Sequence, residues 1–139
     1  MKANFILTGV CGLFLAALPA AAHHSFAAEY DGSKPLSLKG KVTQVEWVNP
    51  HSWIHIDVTG EDGKAVSWSC ETAPPNGLYR QGWRRDTLKT GDEVVIQGFL
   101  AKDGSHTMTA RTVQTADGKK LFAGSATDGA PQSQKPDEK

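Results

Sequence analysis

The sequence is poor in cysteine and has no excess of either charge. It has two cysteines among 139 residues. Cys11 lies in an apolar N-terminal stretch that we expect to be removed, which leaves Cys70 without a partner for an internal disulfide. Fifteen basic and fifteen acidic residues give a formal net charge of zero, whereas electrostatic binding of nucleic acid needs a basic surface. We therefore expect no disulfide framework and no nucleic-acid partner.

A hydrophobic run long enough for a convincing membrane span is also missing. The apolar stretch from Phe5 to Leu18 is shorter than the ~20 residues that cross a bilayer. It follows Lys2 and precedes Ala20-Ala21-Ala22, an order of features typical of secretory signal peptides. We predict a signal peptide over residues 1–22, a periplasmic or secreted protein, and no stable membrane anchor after cleavage.

The chain lacks motifs of common hydrolases. It has neither the G-x-S-x-G turn of serine hydrolases nor the H-E-x-x-H helix of zinc proteases. Cys70 alternates with apolar neighbours, which predicts a buried and inert thiol. Glu71, on the other face of the same strand, is a lone carboxylate that could pair with Arg80. We expect a binding protein rather than an enzyme.

Period-two alternation of apolar residues predicts a mainly β domain. Residues 36–47 read as a long strand whose alternation slips once after Val42, which indicates a bulge. Gly60–Gly63 reads as a hairpin turn, and Asn76 as the cap of a short helix over residues 77–83. The order of three strands, a helix and two or three further strands predicts a small five- to six-stranded OB-type barrel. A six-stranded sandwich is the alternative.

These patterns divide the chain after the signal peptide into three parts. Residues 23–35 form an N-terminal arm, residues 36–124 the OB-type barrel, and residues 125–139 a tail whose composition predicts disorder. The predicted core draws one or two apolar residues from each of several strands: Val42, Ile54, Ile56, Val66, Trp68, Val94 and Ile96.

Three segments of the chain resemble a known family. They are HHSFAAEYD, GKVTQVEWVNPH and PNGLYRQGWRRDTLKTGDEV. Together they resemble an exported bacterial family known as domain-of-unknown-function family 6152, over nearly all of the chain after the signal peptide. The resemblance implies an exported small β-barrel and no particular activity. It marks His23, His24 and the Asn49-Pro50-His51 turn as motif positions, whereas His55 and His106 lie outside the motifs.

The histidines suggest a metal site. Cleavage after Ala22 would give His23 a free α-amine, which can chelate a metal ion together with its own imidazole. His24 or His51 would add a nitrogen, and three nitrogens in a T-shape suit Cu(II), as in the histidine brace of copper-dependent polysaccharide monooxygenases. In an OB-type barrel, the loops that hold His51 and His106 flank one binding face. We predict copper as the cofactor, held by His23, His24, His51 and His106; the alternative is a loose terminus with solvated histidines.

The four tryptophans, together with arginines at positions 80, 84 and 85, suggest a stacking surface for sugars or bases. From this pattern and the polar face of the second strand, the candidate ligand-binding residues are Trp53, His55, Arg80 and Trp83. The alternative is that Trp47 and Trp68 belong to the core, that Trp83 packs the short helix against the barrel, and that His55 belongs to a surface stripe.

The resulting prediction is an exported ligand-binding domain with copper as the first candidate ligand. The main alternative is a structural or interaction module of the cell envelope, without a metal, whose loops contact an envelope protein. A copper oxidase or monooxygenase is a third hypothesis, which requires an open copper position and a substrate surface.

Overall fold

The computed structural model describes residues 26–125, a mainly β structure. The predicted signal peptide, His23, His24 and the tail from residue 126 onward lie outside the described residues. The helices and strands, in chain order, are α1 (Phe26–Glu29), β1 (Tyr30–Glu46), β2 (Trp53–Thr59), β3 (Ala65–Glu71), α2 (Pro75–Arg80), β4 (Glu93–Ala101), β5 (Thr107–Thr115) and β6 (Lys120–Phe122).

The six strands pair in the order β3-β2-β1-β4-β5-β6. These neighbours are antiparallel, and β3 also pairs with β5 in parallel. The additional pairing joins β1, β2, β3, β5 and β4 into a ring of strands. The predicted mainly β class, and the short helix between the third and fourth strands, are confirmed.

The first strand is longer than predicted. The expected bulge is present, because the pairing of β1 with β2 shifts register between Val42 and Gln44. However, β1 begins at Tyr30 rather than at Leu36. The segment before Leu36 has no apolar alternation, and pairing with β4 makes it a strand: Tyr30 lies opposite Ala101. Part of the predicted arm therefore belongs to the sheet.

The start of α2 also differs from the prediction. The helix begins at Pro75, with Pro74 as its N-cap, and no side chain caps it. Asn76 therefore lies inside the helix, and the prediction that it is the cap is wrong. Proline suits the first helical position, since its fixed φ matches the helix and its missing N–H needs no partner there.

The core contains most of the residues that the alternation predicted. Val42, Ile54, Ile56, Val94 and Ile96 are each no more than 2% exposed. Trp68 packs against the same core but is only partly buried, and Val66 is also only partly buried, so the prediction of full burial is wrong for these two. The alternation of β3 determined which face they occupy, and the elements packed around that end of β3 determined how deeply they lie.

A second, smaller core anchors the N-terminal end of the described chain. Phe26 of α1 packs against Phe99 at a centroid distance of 5.5 Å and against Tyr30 at 6.0 Å. Lys102 adds two hydrogen bonds, from its backbone N–H to the Glu29 carbonyl at 2.9 Å and from its Nζ to the Ala27 carbonyl at 2.6 Å. These contacts hold α1 against the end of β4. Over residues 26–125, no helix is long and apolar enough to cross a membrane.

Candidate functional site

The most unusual polar group of the described structure is the carboxylate of Glu71, at the end of β3. The residue is 7% exposed. Its Oε2 accepts a hydrogen bond from the Tyr30 hydroxyl, and its Oε1 contacts Nδ1 of His51. Burying a carboxylate is costly unless hydrogen-bond donors replace its water. Tyr30 and His51 supply those donors, one to each oxygen.

The two ring nitrogens of His51 have different surroundings: Nδ1 contacts Glu71, and Nε2 is the nitrogen that could bind a ligand. His51 follows the Asn49-Pro50 peptide bond, which is cis, in the loop between β1 and β2. An ionised carboxylate accepts hydrogen bonds and cannot donate them, so when Glu71 is ionised Nδ1 of His51 is the donor in this contact. In the neutral imidazole, Nε2 then has a free lone pair. The side chain is 38% exposed, so this nitrogen lies on an accessible residue.

Tyr30 connects the N-terminal segment to this carboxylate. The residue is 6% exposed. Burial raises the pKa of its phenol well above the ordinary value, and the hydrogen bond to Glu71 and the negative charge of that residue raise it further. The phenol is therefore a neutral, permanent donor to Glu71. We call Tyr30, Glu71 and His51 the Glu71 cluster.

His106 does not join the Glu71 cluster. Its ring stacks on Trp68 at a centroid distance of 5.0 Å. Side chains alternate along a strand, so Trp68 and Glu71 project from opposite faces of β3. His51 and His106 therefore have different partners, and the hypothesis that they approach each other gains no support from these contacts. Among residues 26–125, no group of three or more histidine, cysteine, aspartate or glutamate side chains is placed to hold a metal ion.

His55 lies in a separate polar contact on the outer face of the sheet. Its Nδ1 is 3.1 Å from Ser69 Oγ, and its Nε2 is 3.3 Å from Glu46 Oε1. The side chains of His55 and Glu46 are 27% and 38% exposed. This arrangement agrees with an exposed polar stripe on β2.

The remaining candidate residues occupy three different environments. Trp83 is 1% exposed, and its Nε1 donates to the Phe122 carbonyl at 2.7 Å. The hypothesis that Trp83 is a stacking surface is therefore wrong. Trp53 is half-buried opposite Glu71 on the neighbouring strand. Arg80 is exposed, and both oxygens of Glu71 are occupied by other donors, so the predicted pair between Glu71 and Arg80 is not formed.

A different set of aromatic and arginine residues does come together. The rings of Trp47 and Tyr79 pack at a centroid distance of 5.2 Å. The guanidinium of Arg84 lies 5.8 Å from the centre of the Tyr79 ring, and that of Arg85 lies 5.6 Å from the Trp47 ring. We call these four residues the aromatic–arginine cluster. It joins the end of β1 to the segment around α2.

Sequence reasoning did not single out Tyr30 or Tyr79, and it named Glu71 only as a lone carboxylate. Tyr30 belongs to the HHSFAAEYD motif, and Tyr79 to the segment that begins PNGLYR, so both stood within conspicuous motifs. Glu71 carried a weaker signal, a single acidic residue at the end of an apolar strand. Its two partners are 41 and 20 residues away in the chain, and no local pattern links them.

Comparison with known proteins yields a family without an assigned activity. A family model described as "Family of unknown function (DUF6152)" matches residues 12–111, which is more than half of the chain. The chain therefore belongs to this family, and the resemblance of its motifs is confirmed. None of the curated proteins matches the chain.

Proposed function

We propose that this member of the family is an exported ligand-binding domain with an OB-type barrel and that its ligand is Cu(II). The barrel is supported by the ring of β1, β2, β3, β5 and β4, since five strands in a partly open barrel are typical of that fold. Export is supported by the signal-peptide features of residues 1–22. Copper binding is supported by the Glu71 cluster.

The orientation of His51 is the observation that carries the copper proposal. Histidines that bind metals usually donate their other ring N–H to a carboxylate or a carbonyl, which orients the ring and makes the ligating nitrogen more basic. Glu71 contacts Nδ1 of His51, so Nε2 is the nitrogen that would bind the ion. The buried Tyr30 hydroxyl holds the second oxygen of Glu71 and so restricts the carboxylate further.

The path of the chain supports His23 and His24 as the other ligands. Tyr30 and His51 contact the same carboxylate, and α1 packs against Tyr30 through Phe26. Only Ser25 separates His24 from Phe26 in the sequence, a span of at most ~7 Å between Cα atoms. The copper proposal requires the N-terminal histidines to reach the end of β3 from Phe26. With the α-amine of His23, they would complete the nitrogen-rich set that Cu(II) prefers.

The second candidate function is an interaction module of the cell envelope that works without a metal. The aromatic–arginine cluster favours it, because its aromatic rings and guanidinium groups lie at the surface, where they can bind another component of the envelope. The two functions use different residues and are compatible in one domain.

Cu(II) titration of the processed protein tests the copper proposal. We expect His51→Ala to weaken binding at least tenfold, because it removes a ligand. One additional residue before His23 should weaken binding as strongly, because it converts the chelating amine into an amide. His55→Ala is the matched control, since it removes another half-exposed histidine next to a carboxylate. Intact mass establishes the N-terminus of each protein.

Two results would overturn the copper proposal. Equal affinities in all four proteins would assign the binding to ordinary surface imidazoles. A processed protein that begins at Ser25 or later would lack both N-terminal histidines. In either case the Glu71 cluster would be a structural tie between the N-terminal segment and the sheet.

A further inference from the structure

The apolar side chains that are most exposed concentrate around the aromatic–arginine cluster. Within residues 26–125, three large apolar side chains are exposed: Val48 at 45%, Tyr79 at 38% and Phe122 at 45%. Tyr79 belongs to the cluster, and Val48 follows Trp47 directly in the chain. Two of the three are thus a member of the cluster and the chain neighbour of its half-buried Trp47.

The segment that carries Tyr79 is rich in arginine. Residues 79–86 contain three arginines and one aspartate, a net charge of +2 by that count. Arg80 and Arg85 make no hydrogen bond or ion pair within the described part of the chain, so their N–H donors face solvent. Arg84 uses Nη1 on the carbonyls of Tyr79 and Trp83, at 3.2 and 2.6 Å, which holds its guanidinium beside the aromatic rings.

We propose that Val48 and the aromatic–arginine cluster form a peripheral docking surface for a bilayer that carries anionic phospholipids. The arginines match the phosphate groups, which guanidinium binds in a bidentate geometry. Tryptophan and tyrosine prefer the boundary between headgroups and acyl chains, where one side of the ring is apolar and the other is wet. Val48 would enter the apolar side of that boundary.

The composition of the surface favours a bilayer over a free anion. A small phosphate or carboxylate would be bound by the arginines alone, and it would give Val48 and Tyr79 no apolar environment. A bilayer satisfies both features at once, through electrostatic attraction and burial of apolar area. Stacking on Trp47 restricts the Arg85 side chain at the surface, so this side chain loses less conformational entropy on binding.

Vesicle co-sedimentation of the processed protein tests this proposal. All variants have the same N-terminal residue. We expect binding to vesicles of equal parts phosphatidylglycerol and phosphatidylcholine, and much weaker binding to phosphatidylcholine alone. Arg85→Gln should weaken the binding about fivefold, the effect expected of one basic side chain near an anionic surface. Val48→Ser should also weaken it, although it changes no charge. Higher salt should reduce binding by screening.

Lys41→Gln is the matched control, because it removes one positive charge from an exposed residue of β1 outside the cluster. Thermal melting verifies that each variant is folded. The proposal fails if neither vesicle binds, or if Lys41→Gln weakens binding as much as Arg85→Gln. It also fails if Val48→Ser has no effect while inorganic phosphate competes fully, since the site would then bind a small anion. These outcomes are independent of copper binding.

Discussion

The two ends of β3 have the same alternation of residue types but very different surroundings. Val66 and Trp68, in the N-terminal half, are partly exposed. Glu71, at the C-terminal end, is 7% exposed although it carries a carboxyl group. Glu71 is contacted by Tyr30 of β1 and by His51 of the loop after β1. Trp68 is contacted by the ring of His106, which stacks on it.

The same contrast separates two contacts between histidine and glutamate. His51 contacts a carboxylate whose side chain is 10% exposed, whereas the partner of His55 is 38% exposed. Exposed ion pairs contribute at most ~1 kcal/mol to stability, because water solvates both groups well without the contact. A buried carboxylate cannot be solvated by water in this way, so it depends on the hydrogen-bond donors that the protein supplies. Burial of the glutamate, rather than its distance from the histidine, therefore distinguishes the two sites.

The largest difference in the free energy of unfolding is expected between substitutions of two tryptophans. Trp83→Ala should reduce the free energy of unfolding by about 3–5 kcal/mol, since it empties a fully buried site in the core that contains Cys70. Trp68→Ala should cost roughly half as much, because the stabilisation scales with buried apolar area. Urea denaturation measures both. Equal losses would show that Trp68 contributes as much to the core as the fully buried Trp83.

A smaller difference in the free energy of unfolding is expected between substitutions of two glutamates. Glu71→Ala should cost about 2 kcal/mol, because it leaves the buried Tyr30 hydroxyl without an acceptor. Glu46→Ala is the control and should change stability by less than ~1 kcal/mol, because its side chain is 38% exposed and water can replace the contact with His55. The same denaturation experiment applies. If Glu46→Ala proved the more costly, the contrast between the two contacts would be wrong.

The smallest effect is expected in alkaline solution. Burial and the contact with Glu71 raise the pKa of Tyr30 above its ordinary value of 10.0. Above about pH 10, the unfolded chain therefore loses this phenolic proton while the folded protein retains it. Tyr30 thus makes stability decrease with rising pH, by up to ~1.4 kcal/mol per pH unit.

Tyr30→Phe removes this titration and should flatten the alkaline decrease relative to the unchanged protein. Chemical denaturation at a series of pH values from about 9 to about 11 measures both slopes. Identical slopes would show that the Tyr30 phenol is solvated and outside the Glu71 cluster. Comparison at neutral pH separates this effect from the loss of the hydrogen bond itself.

Much of the fold could be predicted from local patterns. The bulge after Val42, the turn at Gly60–Gly63 and the positions of β2 to β6 all follow from alternation and turn residues, which act between near neighbours. The strand before Leu36 could not be predicted in this way. Its residues are polar, and pairing with β4, more than sixty residues later in the chain, determines its conformation.

The candidate site divides in the same way. The sequence identified His51 as a motif residue, but it offered His106 as a neighbour and Arg80 as the partner of Glu71. Neither residue belongs to the Glu71 cluster. The stacking surface was likewise only half predicted, because Trp47, Arg84 and Arg85 were recognised while Trp83 lies in the core and Tyr79 takes its place.

By itself, then, the sequence determined which segments become strands and which face of each strand is apolar, because a period of two is a property of neighbouring residues. The tertiary structure alone decided which polar groups meet. Tyr30 and His51 lie 41 and 20 residues from Glu71, and they contact it because the ring of strands closes around that end of β3. A buried carboxylate needs donors from whatever elements are adjacent, and only the complete fold determines which elements those are.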